Sequence, residues 1–223
     1  LTDQQVAALN STEISLLSTA QIGALTSTDI QAFTTTQTSA LTTRQLSGLT
    51  TTAIGLFSSD QIGAFSTTQL QSLTTTQLNA LSVDALNAVD ITKTTTTQVA
   101  GLSTTSISEL TDDQVGSFSA AQVSKLSTAQ IGTLTSTAIQ NFTTTQTNAL
   151  TSLQLQGLTT TSINSFSSDQ IGGLSTTQLR GLTTTQLNGL TTEALDLIDL
   201  SKVSSTQLRG LSTTAIGNLS GAQ

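Results

Sequence analysis

The chain contains no cysteine, histidine, methionine, tryptophan, tyrosine or proline. Without Cys and His there is no disulfide framework, no zinc or iron–sulfur centre of the usual kind, no catalytic triad and no imidazole switch. Charge is scarce as well. Asp, Glu, Lys and Arg make up 9% of the 223 residues, against about 25% in an ordinary soluble domain. Six basic residues against thirteen acidic ones, net −7, argue against nucleic acid or an anionic membrane as partner. Apolar runs are far shorter than the ~20 residues of a spanning helix, so membrane insertion is not expected. There is no secretory leader and no starting Met, and the chain opens on Leu1 and stops at Gln223 inside its own pattern, as a segment of something longer would.

What remains is Thr (49), Ser (30) and Gln (23), arranged with a period of eight. From Leu17 the chain reads LSTAQIGA, LTSTDIQA, FTTTQTSA, LTTRQLSG, and so on. Position 1 is almost always Leu, Phe or Val, with Thr94 the exception, and position 2 is Ser or Thr, with Asn10 the exception. Position 5 is mostly Gln. Position 6 is Val, Ile or Leu except at Thr38 and Thr147, and position 8 is most often Ala or Gly.

Ser or Thr followed three residues later by Gln is a capping box: the hydroxyl accepts from the N3 amide, and the Gln side chain reaches back to the N-cap amide. With position 2 as N-cap, positions 1 and 6 become N′ and N4, the pair joined by a hydrophobic staple. Thr74 and Gln77, and Thr183 and Gln186, are the clearest such boxes. The spacing therefore predicts one short helix per octad. Helices this short cannot stand alone, because isolated helices below ~12–15 residues are marginal. Stacked on neighbours they form an all-α solenoid. A β-solenoid is the alternative, since Thr, Val, Ile and Phe favour strands. Its period-2 apolar alternation is missing, while the step from position 6 to the next position 1 is a helical i, i+3 spacing. In this reading position 2 is consumed by capping and positions 3 and 4 are neutral polar surface, so Thr75→Ala is expected to be near neutral.

A longer repeat lies above the octad: LTSTDIQAFTTTQT at Leu25 returns as LTSTAIQNFTTTQT at Leu134. Each long repeat holds thirteen octads and one five-residue insert, VDITK (Val89, Asp90, Ile91, Thr92, Lys93) and then IDLSK (Ile198, Asp199, Leu200, Ser201, Lys202). Residues 1–109 are the first repeat and 110–218 the second, while 219–223 open a third. The insert alternates like a short extended segment, and it reads as a corner of the superhelix or a contact between molecules.

Acidic residues gather around it: Asp84, Asp90, Glu193, Asp196 and Asp199. Carboxylates in such number raise a calcium site, yet the spacing fits neither an EF-hand nor a Gly- and Asp-rich nonapeptide. Helix-start charges and surface ion pairs with Lys93 and Lys202 are the favoured reading, with no metal and no cofactor. Nothing in the columns forms a pocket for paired acids, so catalysis is not expected.

The tandem spelling L-T-x-x-Q-[ILV]-x-[AG] resembles the octapeptide arrays of very large secreted or cell-surface proteins of Gram-negative bacteria, often described as adhesin-like. That resemblance implies export to the surface and a role as filament, coat or stalk. The partner is then the chain itself. A Thr-rich face that docks ice or a polysaccharide is the alternative.

Overall fold

The computed structural model describes residues 2–220. Among them are 26 α-helices of four to six residues, two 3-10 turns and no strand. The all-α reading holds, not the β-solenoid alternative, and the reason is the cap. Every helix is preceded by an extended residue whose side chain accepts from the N3 amide, as Thr74 Oγ1 does from Gln77 N (3.1 Å). The column-6 residue closes the first helical bond onto the N-cap carbonyl (Leu78 N to Thr74 O, 3.0 Å). The next column-1 amide then bonds back to column 6, as Leu81 N does to Leu78 O. Cap, staple and exit thus fit in a single octad.

Columns 1 and 6 form the core. All six Phe residues are buried, and Phe57 and Phe65 meet edge to face with centroids 5.9 Å apart. The two column-6 exceptions, Thr38 and Thr147, are fully buried, and each satisfies its hydroxyl on a carbonyl one turn back, Thr34 O and Thr143 O. At ~1.5–3 kcal/mol per buried side chain, two such residues per octad offset part of the ordering cost of eight. Stacking must supply the rest.

The chain falls into two compact units, Leu1–Leu110 and Thr111–Gln223. The opening of a third repeat, 219–223, lies outside the described residues for its last three positions. Within each unit a helix packs chiefly on the third helix along: Asp3–Ala7 on Ser27–Ala32 in the first, Thr128–Gly132 on Ser152–Gly157 in the second.

Candidate functional site

The feature that recurs on every turn is the column-5 glutamine, and its second half is what the capping box leaves unused. Gln77 Oε1 accepts from Thr74 N (2.8 Å), closing the box. Its Nε2 donates to the carbonyls of Leu46 and Leu49, 31 and 28 residues earlier, both at 2.8 Å. Leu46 O, at the end of a helix on the preceding turn, already accepts from Leu49 N, and the clamp adds a second bond there and one to the Leu49 carbonyl. One amide thus caps the start of its own helix and the end of another. Gln186 does the same to Leu155 and Leu158 in the second unit. Gln37, Gln45, Gln61, Gln69, Gln154 and Gln178 repeat the pattern. These glutamine side chains are buried. A Glu could close the box but has no proton to donate.

Those two separations set the pitch. A unit reaches the junction between the third and fourth units before it, so a turn holds about three and a half octads. The sequence carried this signal. From Asp29 onward, column 5 departs from Gln at Asp29, Ala53, Ala85, Ser106, Ala138, Ser162, Ala194 and Ala215. Counting the insert as one unit, these lie three and four units apart in strict alternation. Within each unit that spacing sets one clamp-free octad on every turn along one side.

At three of these octads, those of Ser106, Ala194 and Ala215, an asparagine from the previous turn takes over. Asn79 donates to Gly101 O (3.0 Å) and accepts from the N-cap amide of Ser103 (2.8 Å), the group that Gln would have satisfied. Asn164 serves Gly189 and Thr191, and Asn188 serves Gly210 and Ser212, in the same way.

The glycines of column 8 serve approach, not backbone conformation, since no described residue has positive φ. A Cβ on Gly101 would run into Thr75 Cγ2, and one on Gly210 would lie 2.5 Å from Thr184 Cγ2. Column 3 of one turn seats its methyl on column 8 of the next. Thr75 is therefore half-buried, which corrects the expectation that it is neutral surface. Exposed Thr76 is the neutral position.

The insert is a shortened repeat unit and not an extended segment. Val89 and Ile91 are buried in columns 1 and 6, Asp90 is the N-cap, and Ile91–Lys93 forms a 3-10 turn. In the second unit Ile198 is buried and Leu200 half-buried over the turn Leu200–Lys202. Gln98, the first clamp after the insert, reaches Leu70 and Leu73 at separations of 28 and 25. Each is three fewer than usual, the difference between an octad and the five-residue insert. The insert thus fills an octad's place with a single turn.

Asp90 is held below the ordinary carboxylate range by the Thr92 hydroxyl first, then by Lys93, whose Nζ lies 3.0 Å away. Asp199 is held low chiefly by Ser201, with Lys202 3.4 Å off. Asp84 and Glu193 sit in the first turns of their helices, and Asp196 accepts from Ser220 N. No three His, Cys, Asp or Glu residues come together as a ligand set among the described residues. An apolar gap beside the first insert, lined by Leu78, Leu86, Val89, Ile91, Thr94 and Val99, has no room for a water molecule. No described helix is long and apolar enough to cross a membrane.

Capped octads, clamps and a core that exists only between turns define an all-α repeat protein of the solenoid class. Residues 152–184 and 163–196 match the ALTTAQ repeat family in two overlapping stretches. No curated protein matches the chain.

Proposed function

We propose that this is a structural extracellular repeat protein that self-associates into a filament, surface coat or adhesin stalk. The observation that carries the reading is the register of the long repeat: equivalent clamps, inserts and caps recur at one fixed interval, as at Gln77 and Gln186. Identical surfaces at fixed intervals make heterologous contacts, which propagate into open assemblies. Few charges and a hydroxyl- and amide-rich surface oppose such association weakly. The partner is the chain itself, the place is outside the cell or on a bacterial surface, and no catalysis is assigned. Electron micrographs of the native material should show ordered fibres or sheets with a spacing tied to the long repeat.

The second reading is a binding module that docks ice or a polysaccharide on exposed Thr such as Thr52 and Thr76. Purified chain that stays monomeric at high concentration, and that shapes ice crystals or captures a glycan, would replace the structural reading with this one.

A further inference from the structure

We propose that the second unit carries two complementary charged edges that join copies of this chain side by side; the idea rests on the self-association reading and names its surface. Asp113 and Asp169 lie in the first turns of helices set two superhelical turns apart, at twice the clamp separation of 28. Lys125 and Arg180 repeat the same two-turn spacing to within one position. All four side chains are exposed. None belongs to an ion pair among the described residues, where both such pairs are internal to the inserts. Arg180 Nε donates to Lys202 O, which fixes the direction of its guanidinium.

Within each rung the base follows the acid by eleven or twelve positions, close to half of one turn. The two ladders therefore face nearly opposite ways, and one neighbour cannot meet both. Each copy must present its acidic edge to one neighbour and its basic edge to another. That is a heterologous contact, and it extends into a sheet. Equal rung spacing lets both contacts of an edge form at once. Like-charged edges repel, so the charges select this pairing over others. In the first unit the acidic edge recurs at Asp60, while the counterparts of the two bases are Leu16 and Gln71. The docking edge with both signs therefore belongs to the second unit.

The test uses the 223-residue chain, followed by sedimentation velocity and electron microscopy at low and high salt, with circular dichroism to confirm folding. Wild type should assemble laterally at low salt and lose the assembly in high salt. Lys125→Glu with Arg180→Glu, and separately Asp113→Lys with Asp169→Lys, should each raise the concentration at half-assembly about tenfold or more. An equal mixture of the two variants should assemble again, because each restores the other's missing sign. Charge-reversed variants that assemble as wild type does, or wild-type assembly indifferent to salt, would overturn the ladder and leave self-association standing. Wild type that stays monomeric under every condition would overturn self-association itself.

Discussion

The two long repeats are the same machine with different exteriors. Gln77 and Gln186 clamp equivalent carbonyls, Asn79 and Asn188 fill equivalent gaps, and Gly101 and Gly210 seat equivalent threonines. The differences lie outside. Lys125 stands where the first repeat has Leu16, 78% exposed, and Arg44 stands where the second has Leu153, 66% exposed. A side chain in water can change from leucine to lysine with little effect on packing. A glutamine that clamps two turns cannot change without stranding polar groups, although the asparagine bridge does vary, Asn164 standing where the first repeat has Gly55. The interior is thus a set of paired obligations between turns, and the exterior is free to carry charge, contact or nothing.

The strongest way to break that equivalence is to remove the clamp donor and keep the box. Gln77→Glu leaves an acceptor for Thr74 N but takes the side-chain donor from the carbonyls of Leu46 and Leu49, of which Leu46 O keeps the Leu49 amide, and sets a carboxylate beside them. The loss should be about 2–4 kcal/mol in urea unfolding. Gln186→Glu should cost the same within error. A clearly smaller loss at one site would show that the two clamps differ in worth. Next comes the seat. Gly101→Ala should cost about 1–3 kcal/mol through overpacking against Thr75, and Thr75→Ser should recover only part of it, because the Cβ that Ser keeps would still lie 2.9 Å from the new methyl. Gly63→Ala meets nothing within 4 Å and should be neutral or mildly stabilising.

The cap was legible in the sequence because its signal is local. Thr74 with Gln77 places donor and acceptor within one octad, so helix start, staple and core columns follow from spacing alone. The clamp was not, because its acceptors lie on the preceding turn, far back in the chain, and a capping box takes Glu or Gln alike. The near-exclusive choice of Gln was the visible trace of it. The insert misled for a related reason. Val89, Asp90 and Ile91 alternate like a strand, but Asp90 accepts from Thr92 N and turns the chain at once. Thr75 misled because nothing in its own octad announces the methyl contact with Gly101. Column 5 also holds the pitch, in the alternating three- and four-unit steps between its non-Gln members from Asp29 onward, once the insert is counted as a unit.

Smaller effects sharpen the comparison. Thr74→Ala removes an N-cap and should cost about 0.5–2 kcal/mol, whereas exposed Thr76→Ala should lie within measurement error. Thr94 occupies a buried column-1 site where the second repeat has Val203. Its hydroxyl donates to Ile91 O, a carbonyl that the Thr94 amide also reaches. Thr94→Val therefore leaves the Ile91 carbonyl its amide partner and should raise stability by less than about 1 kcal/mol. A loss above that would mean that the hydroxyl, and not the amide, secures the first insert.

The least effect is expected at the inserts' carboxylates, where the two repeats use different hydroxyls for one purpose. Asp90 is lowered first by Thr92 and then by Lys93, and Asp199 first by Ser201. A carboxylate whose folded pKa lies below its unfolded value near 3.8 adds stability that is complete above that value. That stability is lost as pH falls through the lower, folded pKa. Both side chains are well exposed, so the contribution is small and salt-sensitive. Site-resolved titration by NMR should place both carboxyls below an ordinary Asp. Thr92→Val and Ser201→Ala should each move the adjacent carboxyl upward, toward the ordinary value, and leave the other insert unchanged. High salt should move Asp90 further than Asp199, because Lys93 Nζ lies 3.0 Å from Asp90 while Lys202 Nζ lies 3.4 Å from Asp199. Equal movement at both would show that the two lysines contribute alike, and no movement at either that the hydroxyls alone hold the carboxyls low.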